Sequence, residues 1–470
     1  MLGTAVRAAQ VMAAKAGGSR ALRHSAVVVV SQFATQAIRF GSNVVLAALL
    51  SPAIFGVLAL VTAVRTGVEL LTDIGITQSI VVSDEGDERE FVETAWGLQA
   101  VRGVGLAAIG ALASFPIAWL YGQDQLGPLL LVGSLGSIIS GLARPGPALL
   151  QRDRRMDRLL VQRLTVAVSG ALISISFAAA MPTAMSMILA NVLALCAAAA
   201  ISYAVLPLPG YRPRILPEYR RKIVSFGKWI FLSSLIYYFA TNFDRLYLPA
   251  YIPLTVFGVY GIVRSLADVV VQTVVQVNQL VVLPAVAKSK SVLHDQRVRL
   301  GKMRFFGLAI IDAGLGMLIA SSDVIVVIVF DQRYALGAVI LPLLLAGSWF
   351  AIHASVSEFI LLGLGKARPM VGGHSARFLG TILGLPLAFS AWGLLAAIAV
   401  IAFADLPRYL WLTWQAARER VSFARQDPVL FMTMAVGALG ARQLLVAAGL
   451  ADGFVSSVQQ AGLTTLVGMG

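Results

Sequence analysis

Three charged residues, Arg65, Glu69 and Asp73, lie four apart in a stretch (55–82) that is otherwise apolar enough to cross a bilayer. On a helix that spacing stacks them on one face. An arginine with an acid four residues on can form an ion pair along its own helix. A central Arg or Lys costs about 2.5–3.5 kcal/mol on insertion scales, so charges at this depth need a protein interior or a wet cavity. A guanidinium there offers paired donors to a phosphate or carboxylate, and a carboxyl group there can take up H+ or a cation. Arg-x-x-x-acid recurs as Arg264 and Asp268, with Gln272 and Gln276 continuing the face. An earlier segment carries Gln32, Gln36, Arg39 and Asn43 at i, i+4, i+7 and i+11, within about 60° of one another around a helix. Arg102 and Arg442 are also deep in apolar segments. The pairs read either as ion pairs locking the structure or as polar lining of a central path. Stripes on four separate segments favour the lining.

These stripes need long helices to carry them. The chain has 470 residues, 58% hydrophobic and 13% charged, with a mean hydropathy of +0.82. That balance belongs to a polytopic membrane protein. With roughly 20 apolar residues needed per crossing, thirteen spans are expected near 26–50, 57–82, 92–120, 127–150, 159–180, 184–208, 224–248, 254–286, 305–330, 336–363, 370–390, 393–414 and 429–449. A partial fourteenth follows in 454–470. Strand alternation is absent, so an all-α architecture is expected. Ser234, Tyr238, Thr241 and Arg245 repeat the first stripe 202 residues on, and the same offset carries Phe55-Gly56-Val57 onto Phe257-Gly258-Val259. This is the pattern of an internal duplication into two six-helix lobes.

The formal net charge is +14, but its distribution points away from nucleic acid. With the N-terminus inside, the inside loops hold 25 Lys and Arg and the outside loops only Arg333, a strong positive-inside asymmetry. The segment 1–24 reads as a basic cytoplasmic arm. Outside loops such as "YGQDQLG" and "PAYIP" are too short for a catalytic domain, which counts against polymerases, ligases and glycosyltransferases. "DEGD" in the acidic inside loop at 83–90 reads as a solvated turn. Cys196 is the one cysteine, and the four histidines have no ligand-like spacing, so neither a disulfide nor a metal site is expected. No phosphate-binding loop is present.

"LLSPAIFGVLALVTAV", "DIGITQSIVV", "PGPALLQRDRRMDRL", "NFDRLYL" and "FGVYGIVRSLAD", in that order over about residues 25–415, resemble the Wzx-type flippases of polysaccharide repeat units, within the multidrug/oligosaccharidyl-lipid/polysaccharide exporter superfamily. The resemblance implies two six-helix lobes in a V arrangement, usually with two further helices. It also implies alternating-access translocation of an undecaprenyl-diphosphate-linked oligosaccharide across the bacterial inner membrane, for surface polysaccharide such as lipopolysaccharide or exopolysaccharide, without catalysis or cofactor. The expected division is 1–24 arm, 25–208 N-lobe, 209–223 basic linker, 224–417 C-lobe and 418–470 C-terminal helices. The expected substrate cavity is Arg39, Arg65, Arg102 and Arg264 for the diphosphate, with Gln32, Gln36, Asn43, Gln272 and Gln276 for sugar hydroxyls. Glu69, Asp73, Asp268, Asp312 and Glu358 are candidates for coupling to H+ or Na+, with the membrane potential as the other source of drive. The expected state is a monomer in membrane lipid, in contact with polysaccharide assembly proteins. The competing readings are a cation-coupled multidrug exporter and a peptidoglycan-precursor flippase of the same superfamily. The first is disfavoured because those exporters typically use a first-helix acid, where this chain has Arg39. The second is disfavoured by its different loop pattern. A non-transporting scaffold is disfavoured by the cost of eleven bases in or beside the spans.

Overall fold

The computed structural model describes residues 20–70, 75–153, 155–205, 210–283, 286, 293–330, 332–366 and 368–450, and for 20–33, 78, 82, 156, 226–234, 280, 293–297 and 299 the backbone alone. Most of the basic arm, Asp73 and the partial fourteenth helix lie outside the described residues, as do the side chains of Gln32 and Ser234.

The described chain is helical throughout, without a strand. Fifteen α-helices follow in order: α1 Arg20–Leu49, α2 Pro52–Leu70, α3 Ile76–Val82, α4 Arg89–Leu120, α5 Leu126–Leu142, α6 Gly146–Arg152, α7 Met156–Ala180, α8 Ala184–Val205, α9 Pro217–Tyr247, α10 Leu254–Val277, α11 Leu293–Phe330, α12 Gly337–Gly363, α13 Arg368–Ala402, α14 Leu406–Arg418 and α15 Asp427–Ala447. Among the described residues nine helical stretches are long and apolar enough to cross a membrane, ten if α5 and α6 form one bent span. A backbone without water to bond must satisfy itself, and helices do so within one segment. Leu112, Trp119, Ile310, Trp392 and Leu444 are each more than 70% exposed, which suits side chains facing lipid.

Four expected spans are interrupted: 393–414 by the turn at 403–405 between α13 and α14, and three others each for a local reason. The segment 57–82 divides into α2 and α3, with Gly75 between them at φ 63°, a left-handed conformation that glycine adopts without steric cost. The segment 127–150 bends by 43° between α5 and α6, where "ARPGP" removes backbone donors. The segment 254–286 leaves α-geometry at a π-helical turn over Asn278–Val282.

The chain forms two compact units. The first takes in Met1–Leu50, Val57–Tyr238 and Pro249–Tyr251; the second takes in Ser51–Gly56, Phe239–Leu248 and Ile252–Gly470. In the first unit α4 packs on α5, α7 on α8 and α1 on α7. Gly103 and Gly141 let α4 and α5 approach: a Cβ on Gly103 would stand 2.5 Å from the Ser137 carbonyl oxygen. Ile76, Ile80, Phe91, Val92, Leu149 and Ile223 bury a shared apolar cluster.

The acidic 83–88 turn of this unit is not merely solvated. Arg152 donates to the carbonyls of Ile80 (3.1 Å), Ser83 (2.5 Å) and Asp84 (3.1 Å) and pairs with Asp87 at 3.0 Å. Lys222 pairs with Glu85 at 2.8 Å, and the Tyr219 hydroxyl donates to Glu88 at 2.8 Å. That bond to a carboxylate pushes the Tyr219 hydroxyl up to about 12. Sequence spacing hides these partners, which come from 65 to 137 residues away.

In the second unit α11 packs on α12 and α15, α10 on α12, and α14 on α12 and α13. α12 is the most buried of the long helices, with 72% of its apolar window inside. α13 kinks at Gly393, φ 76°. The first turns of α2 and α10 also meet here. A Cβ on Gly56 would lie 2.0 Å from the Leu254 oxygen, and one on Gly258 1.8 Å from the Pro52 oxygen. Positions 52 and 56 map onto 254 and 258 by the same 202-residue offset seen in the sequence, so the two contacts are reciprocal.

Candidate functional site

Within the first unit, α2 delivers Arg65 and Glu69 to a polar cluster. The two pair along the helix, Arg65 Nε to Glu69 Oε1 at 3.3 Å, as their spacing requires. Arg65 Nη1 also donates to Asn191 Oδ1 of α8 at 2.7 Å. Arg102 of α4 donates to the backbone carbonyl of Glu69 at 2.5 Å. Tyr238 of α9 donates to the Ala63 carbonyl at 2.6 Å, one turn above. Beside the cluster is a hollow of about 290 Å³ lined by Glu69, Thr77, Gln99, Arg102, Ser137 and Ser140. Arg65 and Glu69 also edge a second, mainly apolar hollow with Leu106 and Ser134. The cluster thus gathers two guanidinium groups, one on the Glu69 carboxylate and one on the Glu69 backbone carbonyl.

Further along the bilayer-spanning part of the first unit, Arg39 and Asn43 of α1 are exposed and Gln36 is half-buried. Their shared face is kept, because α1 runs unbroken from Arg20 to Leu49. Arg144, counted in the sequence only as a base at a span edge, stacks over Tyr203 at 4.4 Å and near Trp96 at 5.9 Å.

The second unit holds the other Arg-acid pair. Arg264 Nε lies 3.2 Å from Asp268 Oδ1 on α10, and Arg245 of α9 reaches the other oxygen at 3.0 Å. One carboxylate thus bridges two arginines, and Arg245 also donates to Asn242 at 3.3 Å. Gln272 is exposed and Gln276 half-buried on the same helix. Glu358 sits in a different, buried network: Arg408 joins it to Asp405, and Arg377 pairs with Asp405 at 2.9 Å. His374 Nε2 is 3.6 Å from Glu358. Here acids and bases balance, which makes this network a lock between α12, α13 and α14. Asp312 lies fully buried on α11, apart from both groups, with His353 of α12 at 3.5 Å.

The structure therefore brings together Arg65, Glu69 and Arg102 in one cluster and Arg264 and Asp268 in another. Arg39, Gln36 and Asn43 stand on α1, and Glu358 and Asp312 occupy separate sites. Asn191, Arg408 and His353 were not singled out from sequence, and Arg245 only as part of a stripe, since their partners come from other helices. No group of three or more His, Cys, Asp or Glu able to hold a metal occurs among the described residues.

The helical architecture shares its fold with solved membrane transporters. An inward-facing multidrug resistance MATE family transporter of the MOP superfamily superposes with a TM-score of 0.65 at 12% identity, over 85% of this chain and 99% of its own. The lipid II flippase MurJ, in an inward closed conformation, superposes with a TM-score of 0.66 at 12% identity, over 95% of this chain and 98% of its own. The family described as polysaccharide biosynthesis protein matches residues 45–335, more than half of the chain, and the chain belongs to it. The lipopolysaccharide biosynthesis protein WzxC of Escherichia coli (strain K12) is 25% identical over 292 residues, 60% of this chain and 57% of that protein.

Proposed function

We propose that this protein translocates an oligosaccharide linked through a diphosphate to undecaprenol, from the cytoplasmic to the periplasmic leaflet of the bacterial inner membrane. The observation that carries this reading is the gathering of Arg65 and Arg102 beside a polar hollow of the first unit. Arg65 pairs with the Glu69 carboxylate, Arg102 donates to the Glu69 backbone carbonyl at the edge of that hollow, and Arg39 stands exposed on α1. A diphosphate is the anionic part of such a lipid, and guanidinium groups suit it in both charge and geometry. Gln36 and Asn43 would bond sugar hydroxyls, with Gln32 on the same face by helical spacing. On α10, Gln272 and Gln276 would likewise bond sugar hydroxyls, and Arg264 would serve the diphosphate. The two-lobe division at 25–208 and 224–417, the N-inside orientation and a monomeric state belong to the same proposal. The multidrug-exporter alternative is less well supported, because guanidinium groups beside the hollow repel a cation.

Binding tests the proposal. Purified protein should hold undecaprenyl-diphosphate-sugar more tightly than the neutral sugar, with affinity falling as salt rises. Arg39→Gln should weaken the charged lipid by about 1–3 kcal/mol, the scale of a charge-assisted hydrogen bond, and leave the neutral sugar unaffected. Equal affinity of Arg39→Gln and wild type for the diphosphate lipid would remove Arg39 from the site.

A further inference from the structure

We propose that Asp312 and His353 form one buried proton-binding unit, and that its occupancy couples the second unit to the proton gradient. The inference rests on the transport reading above.

Both side chains are fully buried, on the facing helices α11 and α12. His353 Nδ1 lies 3.0 Å from the Trp349 carbonyl oxygen. A carbonyl only accepts, so Nδ1 carries a hydrogen. In the neutral ring Nε2 is then a bare lone pair, and it faces Asp312 Oδ2 at 3.5 Å. Neither Asp312 oxygen accepts a hydrogen bond within standard geometry, nor does His353 Nε2 have one. A carboxylate and an imidazole lone pair turned toward each other repel until one proton stands between them. With that proton the pair is either a carboxylic acid donating to imidazole or an imidazolium against a carboxylate; without it a buried charge is left with no close partner. The imidazole is held in place by stacking on the Trp349 indole, ring centroids 3.9 Å apart, whose N–H turns toward Asp312 beyond a full hydrogen bond.

The surrounding charges leave the site to a proton. On the same helix Asp323 pairs with Arg442 of α15 at 2.6 Å. Arg304, also of α11, pairs with Asp427 of α15 at 2.5 Å, and Tyr409 of α14 donates to the other Asp427 oxygen at 2.7 Å. Arg304 is therefore spent on Asp427, and its eight-residue separation from Asp312 is about 12 Å of helix rise. Of the two acids buried on α11, Asp323 has a cation and Asp312 does not. Oxygen ligands suited to Na+ are not gathered here, since the nearest facing atom is a ring nitrogen. Intramembrane acids and histidines of this kind mark proton relays. Filling the site draws α11 and α12 together through one hydrogen bond; emptying it releases a repulsion between them. One proton taken from the periplasmic side and delivered to the cytoplasmic side per cycle would bias the two states in alternation.

The test uses the full-length protein in detergent and in liposomes. In pH-difference infrared spectra, wild type should show a protonated-carboxyl band that shifts in D2O, is lost as pH rises, and is missing from Asp312→Asn. Tryptophan fluorescence should titrate over the same pH range, as the carboxylate that the Trp349 indole N–H turns toward is formed, and Asp312→Asn should remove that titration. Should Asp312→Asn fail to accumulate, His353→Gln carries the infrared test, since the band must move when its acceptor changes. In liposomes, an imposed pH gradient should accelerate lipid-linked oligosaccharide translocation by wild type, and that acceleration should be lost in Asp312→Asn. A carboxyl band unchanged in both variants, or a fluorescence response to Na+ at fixed pH in place of protons, would overturn the proposal. A band that behaves as expected in a protein that binds no diphosphate lipid would instead overturn the substrate reading and leave the proton site standing.

Discussion

Two groups stabilise the Arg65 guanidinium. Glu69 pairs with it at 3.3 Å, Asn191 accepts from it at 2.7 Å, and the site borders a hollow. An ion pair alone would serve as well if its two members were replaced together by apolar groups of similar size, since buried pairs are often neutral to stability against hydrophobic replacements. This separates lining from locking. Arg65→Ala and Arg264→Ala should reach normal membrane abundance and lower polysaccharide export by about tenfold or more, the consequence of losing about 1.4 kcal/mol. Abundance is read by immunoblot of membranes and export by surface polysaccharide. If abundance collapses, and Arg65→Met with Glu69→Met restores both, the pair is only a lock. The along-helix half of each pair was legible in the sequence, because helical periodicity by itself puts residues four apart in reach. The cross-helix half was not. Asn191, Arg245 and His353 meet their partners only through packing, and spacing along the chain carries no record of that. The scatter of the four histidines, which argued against a metal, equally hid one buried beside Asp312.

At the scale of elements, glycine decides how closely the helices approach. The reciprocal contact of Gly56 with Leu254 and Gly258 with Pro52 leaves no space for a methyl group. Both Gly56→Ala and Gly258→Ala should destabilise the protein by about 1–3 kcal/mol, the usual scale of overpacking, and lower its thermal unfolding midpoint in detergent. The double variant should be no worse than additive if each methyl group forces the same separation. An unchanged midpoint in either single variant would show that the helices part freely. Arg152 has a comparable role in the 83–88 turn. With its donors removed in Arg152→Ala, amide exchange across 83–88 should rise well above wild type while α4 keeps its protection; unchanged exchange would mean that Lys222 and Tyr219 suffice. Element type and approximate position were legible from apolar runs. The breaks at Gly75 and over Asn278–Val282 were not, because a run of apolar residues looks the same whether the backbone continues or turns. The 202-residue offset was legible, and the mutual contact of its glycines gives it a physical basis.

For the whole molecule, charge distribution predicts orientation. The 25-to-1 asymmetry of loop bases puts the N-terminus and the 151–158 and 288–304 loops in the cytoplasm. Single cysteines at positions 291 and 51, in place of Ser291 and Ser51 in a Cys196→Ala background, would be probed with an impermeant thiol reagent in cells with a permeabilised outer membrane. Position 51 should label and 291 should not; the opposite pattern would invert the topology. The class of protein was legible at this scale, since composition demands a bilayer and ordered motifs point to one family. The sugars of the cargo were not, because hydroxyl recognition by Gln and Asn is chemically much alike for many sugars.

Translocation itself tests the central claim most directly. Purified protein would be placed in liposomes carrying a fluorescent undecaprenyl-diphosphate oligosaccharide, and a quencher confined outside would follow the lipid's passage between leaflets. Wild-type protein should move the lipid well above the protein-free rate, and Arg65→Ala should lower that rate by about tenfold, the equivalent of about 1.4 kcal/mol. A wild-type rate equal to that of empty liposomes, or an Arg65→Ala rate equal to wild type, would contradict the account.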